Sequence, residues 1–204
     1  MRLLWQIYMN KRKLGKTNIN LNAIGFGGAP LGDLFENLEE PNCFQVLEKC
    51  YEANINLYDT SPLYGYGLSE HRLGNFLKTV DEDSYYLSTK VGRYLTPEQE
   101  SKIDRGRFAG GLNFSPHLDY SYDGVMRSFE QSLIRLAVSK VDICLIHDVD
   151  KFTHGNEVDH YFKLAMEGAY KALQKLKDEK VIKAIGVGIN AVSYTHLTLP
   201  TRLS

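Results

Sequence analysis

Five apolar runs separated by segments of helical periodicity constrain this chain more than any other feature. The runs are LNAIGFGG at 21–28, INLYD at 55–59, YYLSTKVG at 85–92, VDICLIHD at 141–148 and IKAIGVGI at 182–189. Between them, Phe44, Leu47, Cys50 and Tyr51 repeat at helical spacing over 42–53, and SEHRLGNFLKT at 69–79 reads as a short helix. Tyr122, Val125, Phe129, Leu133 and Leu136 mark one helix face with Ser121 placed to cap it, and Ala165, Ala169, Leu173 and Leu176 mark another with a lysine-rich last turn. Continuously apolar strands are buried on both faces, and strands joined through helices run parallel. The class is therefore α/β. Both an open doubly wound sheet and a (β/α)8 barrel satisfy this rhythm. The glycines of the first run, GFGG, do not form the GxGxxG turn of a dinucleotide-binding doubly wound sheet, which favours the barrel. The polar stretch from 93 to 120 reads as one long loop, a kind that is usually functional or mobile.

In either architecture, chemistry gathers at the carboxyl ends of the strands. Asp59 ends the second run, Lys90 stands near the end of the third, His147 near the end of the fourth, and Asn190 follows the fifth. Tyr64 hangs from the loop after the second. Singly, each has an ordinary structural explanation: a turn cap, a lysine reaching solvent, a hydrogen-bonded core histidine. Together, ionisable groups at the same end of successive buried strands demand partners, because each costs free energy without one. If they converge, their chemistry is specific. A free tyrosine titrates near pH 10, about three units from neutrality. A lysine ammonium beside it favours the phenolate, and a carboxylate holds the lysine in place. That combination is a proton donor and acceptor suited to interconverting an alcohol and a carbonyl. A histidine alongside orients the substrate oxygen. His147, His154 and His160 lack HxH or HExxH spacing, so no metal centre is expected, and His71, His117, His154 and His160 read as loop or surface residues.

The totals narrow the partners. With 24 basic and 25 acidic side chains, the chain has no electrostatic drive toward nucleic acid or an anionic membrane. The cluster Lys11-Arg12-Lys13 reads as a solvated loop. Cys43 and Cys50, on one helix, would stand about 10 Å apart, beyond the roughly 7 Å limit for a disulfide, and Cys144 reads as a small core residue. A reducing, cytoplasmic setting fits.

At this point the sequence resembles the aldo-keto reductases. The likeness runs over residues 12–190 through KLGKTNINLNAIGFGG, YDTSPLYGYGLSEHRLGNFL, STKVG, SYDGVMRSFEQSLIRL, VDICLIHD and KAIGVGIN, in the family's order. The resemblance implies a (β/α)8 TIM barrel that binds NADP or NAD and passes hydride between nicotinamide and a carbonyl. It implies a catalytic set of Asp59, Tyr64, Lys90 and His147, the group reached above from the strand ends. Tyr64 would be the general acid/base, tuned by Lys90 and Asp59, with His147 orienting the substrate. Gly28, Ala29, Asp59 and Asn190 would lie on the cofactor side. The segments APLGDLF, LYGYGLSEHRLG and LDYSYDGVMRSFEQSL are most similar to the branch of L-fucose, D-threo-aldose and pyridoxal dehydrogenases. That branch implies a small sugar or related alcohol as substrate, oxidised from lactol to lactone. Where many members read GVSNF, this chain reads GVGIN, so Gly188 has no hydroxyl and Asn190 is displaced by one.

Eight βα units need about 250 residues, and this chain supplies about five. Residues 1–8 are expected to be an N-terminal extension, 9–190 a partial barrel, and 191–204 a non-native tail. In that tail SYTHLTL alternates like a strand, but too few residues precede it for a parallel crossover, and SYTHLTLPT resembles a translated sequencing adapter. The resulting expectation is an aldo-keto reductase fragment that is inactive alone, because the later strands carry most of the cofactor site. Two other classes remain open: a Schiff-base lyase using Lys90 as amine nucleophile, and a non-catalytic binding subunit of the same fold.

Overall fold

The computed structural model of the protein describes residues 11–190. The expectations for residues 1–8 and for the tail at 191–204 lie outside the described residues. Two short strands, β1 (Arg12–Lys13) and β2 (Asn20–Leu21), pair antiparallel as a hairpin. After it come β3 (Phe26–Gly27), helix α1 (Glu40–Glu52), β4 (Leu57–Asp59), α2 (Leu68–Leu77) and β5 (Tyr86–Val91). Strands β6 (Arg93–Pro97) and β7 (Phe114–Leu118) form a second antiparallel pair. Helix α3 (Tyr122–Leu136), β8 (Ile143–His147), helices α4 (Lys151–His154), α5 (Val158–Leu164) and α6 (Tyr170–Asp178), and β9 (Ala184–Gly188) complete the described chain.

Strands β3, β4, β5, β8 and β9 form one parallel sheet in chain order. A doubly wound sheet reverses its strand order at a switch point, whereas a barrel adds each strand beside the last. The unreversed order is that of a partial (β/α)8 barrel.

The two faces of the sheet bury different things. Leu87, Val91, Cys144 and Ile146 face the helices, where they pack with Leu73, Phe76, Val125, Phe129, Leu136 and Leu173 in the main core. Full burial of each such side chain contributes about 1.5–3 kcal/mol. On the opposite face, Ile143 and Ala184 pack with Ile19, Leu14, Leu21, Leu57, Tyr86 and Leu145. The hairpin thus plugs the amino-terminal end of the sheet with apolar side chains. That leaves the carboxyl ends as the polar rim.

Several elements differ from the sequence reading. The run 21–28 is not one strand; β2 belongs to the hairpin and only Phe26–Gly27 joins the sheet. Arg12 and Lys13, expected in a loop, are exposed strand residues of that hairpin. The stretch 93–120 is not one loop: Arg93 through Pro97 find backbone partners in Leu118 through Phe114 and form the β6–β7 pair at its two ends, with residues 98–113 connecting them. On α1, Cys43 and Leu47 are buried, whereas Phe44 is 36% exposed and meets Phe76 edge-on at 5.5 Å. The last helix starts earlier than its apolar stripe, at Val158, and crosses a π-helical turn at Ala165–Ala169. The capping expectation holds: the Ser121 hydroxyl accepts the Gly124 amide at 3.1 Å. Among the described residues, no helix is long and apolar enough to cross a membrane, and no cluster of His, Cys, Asp and Glu could hold a metal ion.

Candidate active site

The strand register places the polar residues on a rising stair. Asp59 pairs in register with Ser88, Lys90 with Leu145, and His147 with Gly188. Each functional side chain therefore stands two residues further along than the one before it, as expected for strands staggered toward a tilted barrel. Residues Ser88 and Lys90 share a face of β5, and Leu145 and His147 share a face of β8, by the two-residue period of a strand.

Lys90 is the hub. It is 5% exposed, and its Nζ donates to Asp59 Oδ2 at 2.6 Å and to the Thr60 carbonyl at 2.9 Å. The same ammonium lies 4.7 Å from the centroid of the Tyr64 ring. Burial opposes its charge, but Asp59 and then Tyr64 outweigh burial, so the lysine pKa is pushed up and the ammonium persists. Asp59 is fixed from its other oxygen by the Ser88 hydroxyl at 2.7 Å. A glycine at position 188 makes room for this lysine: a Cβ there would lie 3.0 Å from Lys90 Cε.

His147 stands across from Tyr64, ring centroids 6.0 Å apart and planes at 86°. It is 5% exposed, and burial, then the Arg93 guanidinium and the Lys90 ammonium, hold the imidazole well below its ordinary pKa. It is a neutral ring. Its Nδ1 meets the Ser61 hydroxyl at 3.1 Å, and its Nε2 is 3.6 Å from Asp148 Oδ1. Asp148 adopts a left-handed φ of 54°, which turns the chain back at the end of β8. Its carboxylate pairs with Arg93 at 3.0 Å. Tyr120 secures the backbone beneath, donating to the His147 carbonyl at 2.5 Å.

The loop that carries Tyr64 is held by backbone contact. Gly32 and Gly65 pack so closely that a Cβ on Gly32 would overlap the Tyr64 carbonyl carbon. Gly28 bonds its amide to the Asp59 carbonyl at 2.7 Å and accepts the Ser69 hydroxyl at 2.7 Å. A Cβ on Gly28 would come within 2.8 Å of that Asp59 oxygen, so a side chain there would push the loop off the sheet. Ala29 opens the 3-10 turn Ala29–Gly32 directly beyond it.

Asp59, Tyr64, Lys90 and His147 therefore come together at one rim. Gly28 and Ala29 lie beside Asp59. Asn190 is on the same rim but is exposed, and binds Asp150 and Asp148 rather than the four. Sequence reasoning missed Thr60, Ser61, Ser88, Arg93, Tyr120 and Asp148. Three of these are legible in hindsight, because Thr60 and Ser61 follow Asp59, and Asp148 follows His147. Arg93 and Tyr120 were hidden by reading 93–120 as one loop. His154, expected at the surface, stacks on Tyr161 at 4.0 Å and contacts the Tyr120 hydroxyl at 3.2 Å.

Residues 23–197 match the model of a family described as the aldo/keto reductase family. The chain is 38% identical over 191 residues to pyridoxal 4-dehydrogenase of Microbacterium luteolum, covering 88% of this chain and 55% of that one. It is 38% identical over 170 residues to D-threo-aldose 1-dehydrogenase of a Pseudomonas species, covering 81% and 49%. L-galactose dehydrogenase of Arabidopsis thaliana is 33% identical over 178 residues, covering 86% and 47%. The chain thus spans about half the length of these relatives. Among solved structures, an aldo-keto reductase of Bacillus halodurans superimposes with a TM-score of 0.66 at 24% identity, covering 93% of this chain and 53% of that one.

Proposed function

We propose, since this chain belongs to the aldo/keto reductase family, that it carries the proton-transfer machinery of an NAD(P)-dependent oxidoreductase. Its reaction interconverts an alcohol or sugar lactol and a carbonyl or lactone. The observation that carries this reading is the Lys90 ammonium, bonded to Asp59 at 2.6 Å while lying 4.7 Å from the Tyr64 ring centroid.

In the oxidative direction, Tyr64 accepts the substrate hydroxyl proton at its phenolic oxygen, and in reduction it returns that proton. The neighbouring ammonium stabilises the negative charge that grows on oxygen as a proton leaves, and Asp59 prevents the lysine from swinging away. The neutral His147 ring, edge-on to Tyr64, presents Nε2 as a hydrogen-bond donor that orients the substrate oxygen. Bound NAD(P)+ supplies the hydride acceptor. Of the residues expected at its nicotinamide end, Asn190 is exposed on the rim and Ala29 is partly exposed beside Asp59, whereas Gly28 is buried with its amide and carbonyl both bonded within the protein, so it would shape the loop beneath the nicotinamide rather than touch it. The substrate class follows the relatives, two of which are named as sugar dehydrogenases and one as a pyridoxal dehydrogenase.

The 204-residue polypeptide by itself is expected to turn over poorly. In the described sheet β3 and β9 each have only one neighbour, so loops that later strands would contribute to a cofactor site are not among the described residues. The decisive assay completes the barrel with the carboxyl-terminal half of a relative and screens aldoses and pyridoxal with NAD+ and NADP+. Reduction of cofactor dependent on one of these substrates supports the reading, and its absence over the whole panel contradicts it. Borohydride trapping addresses the Schiff-base alternative. Asp59 keeps Lys90 charged, which disfavours an amine nucleophile, so no covalent adduct on Lys90 is expected.

A further inference from the structure

We propose that Ser61 is a positioning residue that fixes the tautomer of His147, holding the ring with its proton on Nε2 and its lone pair on Nδ1. The inference rests on the role given to His147 above, but its geometry stands apart from that role. Ser61 is fully buried at 0% exposure, on the turn between Asp59 and Tyr64. Its oxygen accepts the Leu63 amide at 3.2 Å, which occupies one lone pair. The hydroxyl hydrogen then needs an acceptor, and among the described residues the one within reach is His147 Nδ1 at 3.1 Å.

The alternative tautomer would carry its one ring hydrogen on Nδ1 instead of Nε2, so Ser61 Oγ would accept from both Leu63 and His147. Its own hydrogen would then be buried without a partner, which costs free energy. At the other end of the ring, Nε2 lies 3.6 Å from Asp148 Oδ1, too far for a hydrogen bond but on the side that favours a proton there. Both ends select the same form. The resulting Nε2–H is free to donate to a substrate oxygen, whereas the opposite tautomer would present a lone pair to it.

The test needs neither cofactor nor turnover, so its failure is distinct from failure of the oxidoreductase reading. The 204-residue protein, labelled with nitrogen-15 histidine, is examined by long-range nitrogen–proton correlation near neutral pH. Assignment uses the spectrum of His147→Gln. Wild type is expected to show Nδ1 as the unprotonated nitrogen and Nε2 as the protonated one. In Ser61→Ala the ratio of the Nε2–H to the Nδ1–H form should fall about fivefold, the equivalent of one neutral hydrogen bond of about 1 kcal/mol. Should Ser61→Ala fail to fold, Ser61→Cys, which keeps the shape and weakens the donor, is measured in the same way and should move the ratio in the same direction. A protonated Nδ1 in wild type, or an unchanged ratio in the folded variant, overturns the assignment.

Discussion

At the scale of single residues, the site is governed by which charges survive burial. Lys90 keeps its charge because Asp59 and Tyr64 outweigh burial, so its pKa is higher folded than unfolded. A raised lysine contributes stability that is complete below about pH 10, its unfolded pKa, and is lost as pH climbs through the folded value. Lys90→Met should therefore remove an alkaline loss of stability expected of wild type above about pH 10, as read from urea midpoints between pH 9 and 12. At neutral pH it should cost about 1–3 kcal/mol, less than the 3–5 of a fully buried pair because Asp59 is 29% exposed. His147 behaves oppositely. Its pKa is depressed by burial, Arg93 and Lys90, so stability is complete above about pH 6.5 and falls as the unfolded imidazole takes up a proton. His147→Gln should flatten the stability profile between pH 7 and 5 by up to about 1.4 kcal/mol per pH unit. An unchanged slope would mean that the ring is not held neutral. Gly32 makes a steric prediction instead. A methyl group at this position would drive the 29–32 turn away from Tyr64, so Gly32→Ala should cost about 1–3 kcal/mol in urea unfolding.

At the scale of elements, the helices and central strands were legible because periodicity and capping are local. Ser121 announced its helix, and Ser121→Ala should lower stability by about 1 kcal/mol without changing the urea slope. The four strand-end residues were legible for a related reason: an ionisable side chain at the end of an apolar run stands out against its neighbours. What was hidden depends on pairing between distant segments. The β6–β7 pair joins Arg93 to Leu118 through backbone bonds, and a polar strand with one solvated face carries little apolar signal. The first apolar run was misread for the same cause. Leu21 turns into the hairpin and Phe26 into the sheet, and no propensity along 21–28 marks the division. The Ser61–His147 contact spans 86 positions. Nothing in the immediate neighbourhood of either residue reveals it.

At the scale of the whole molecule, five parallel strands are plugged at one end by a hairpin and crowded at the other by the catalytic candidates. Among the described residues, β3 and β9 present unpaired edges, and such edges favour self-association. Calorimetric titration of the 204-residue chain with NADP+ or NAD+ should show no micromolar binding; clear binding at that level would contradict the proposed dependence on later strands. The central assignment is Tyr64 as the group that moves the proton. Its most direct measurement is turnover of the completed barrel in wild-type and Tyr64→Phe forms, with cofactor affinity measured in parallel. Loss of the phenolic hydroxyl should reduce turnover by about 100- to 10,000-fold while cofactor affinity stays within about twofold, since no change is asked of uniform binding. A Tyr64→Phe enzyme that turns over at the wild-type rate would contradict it.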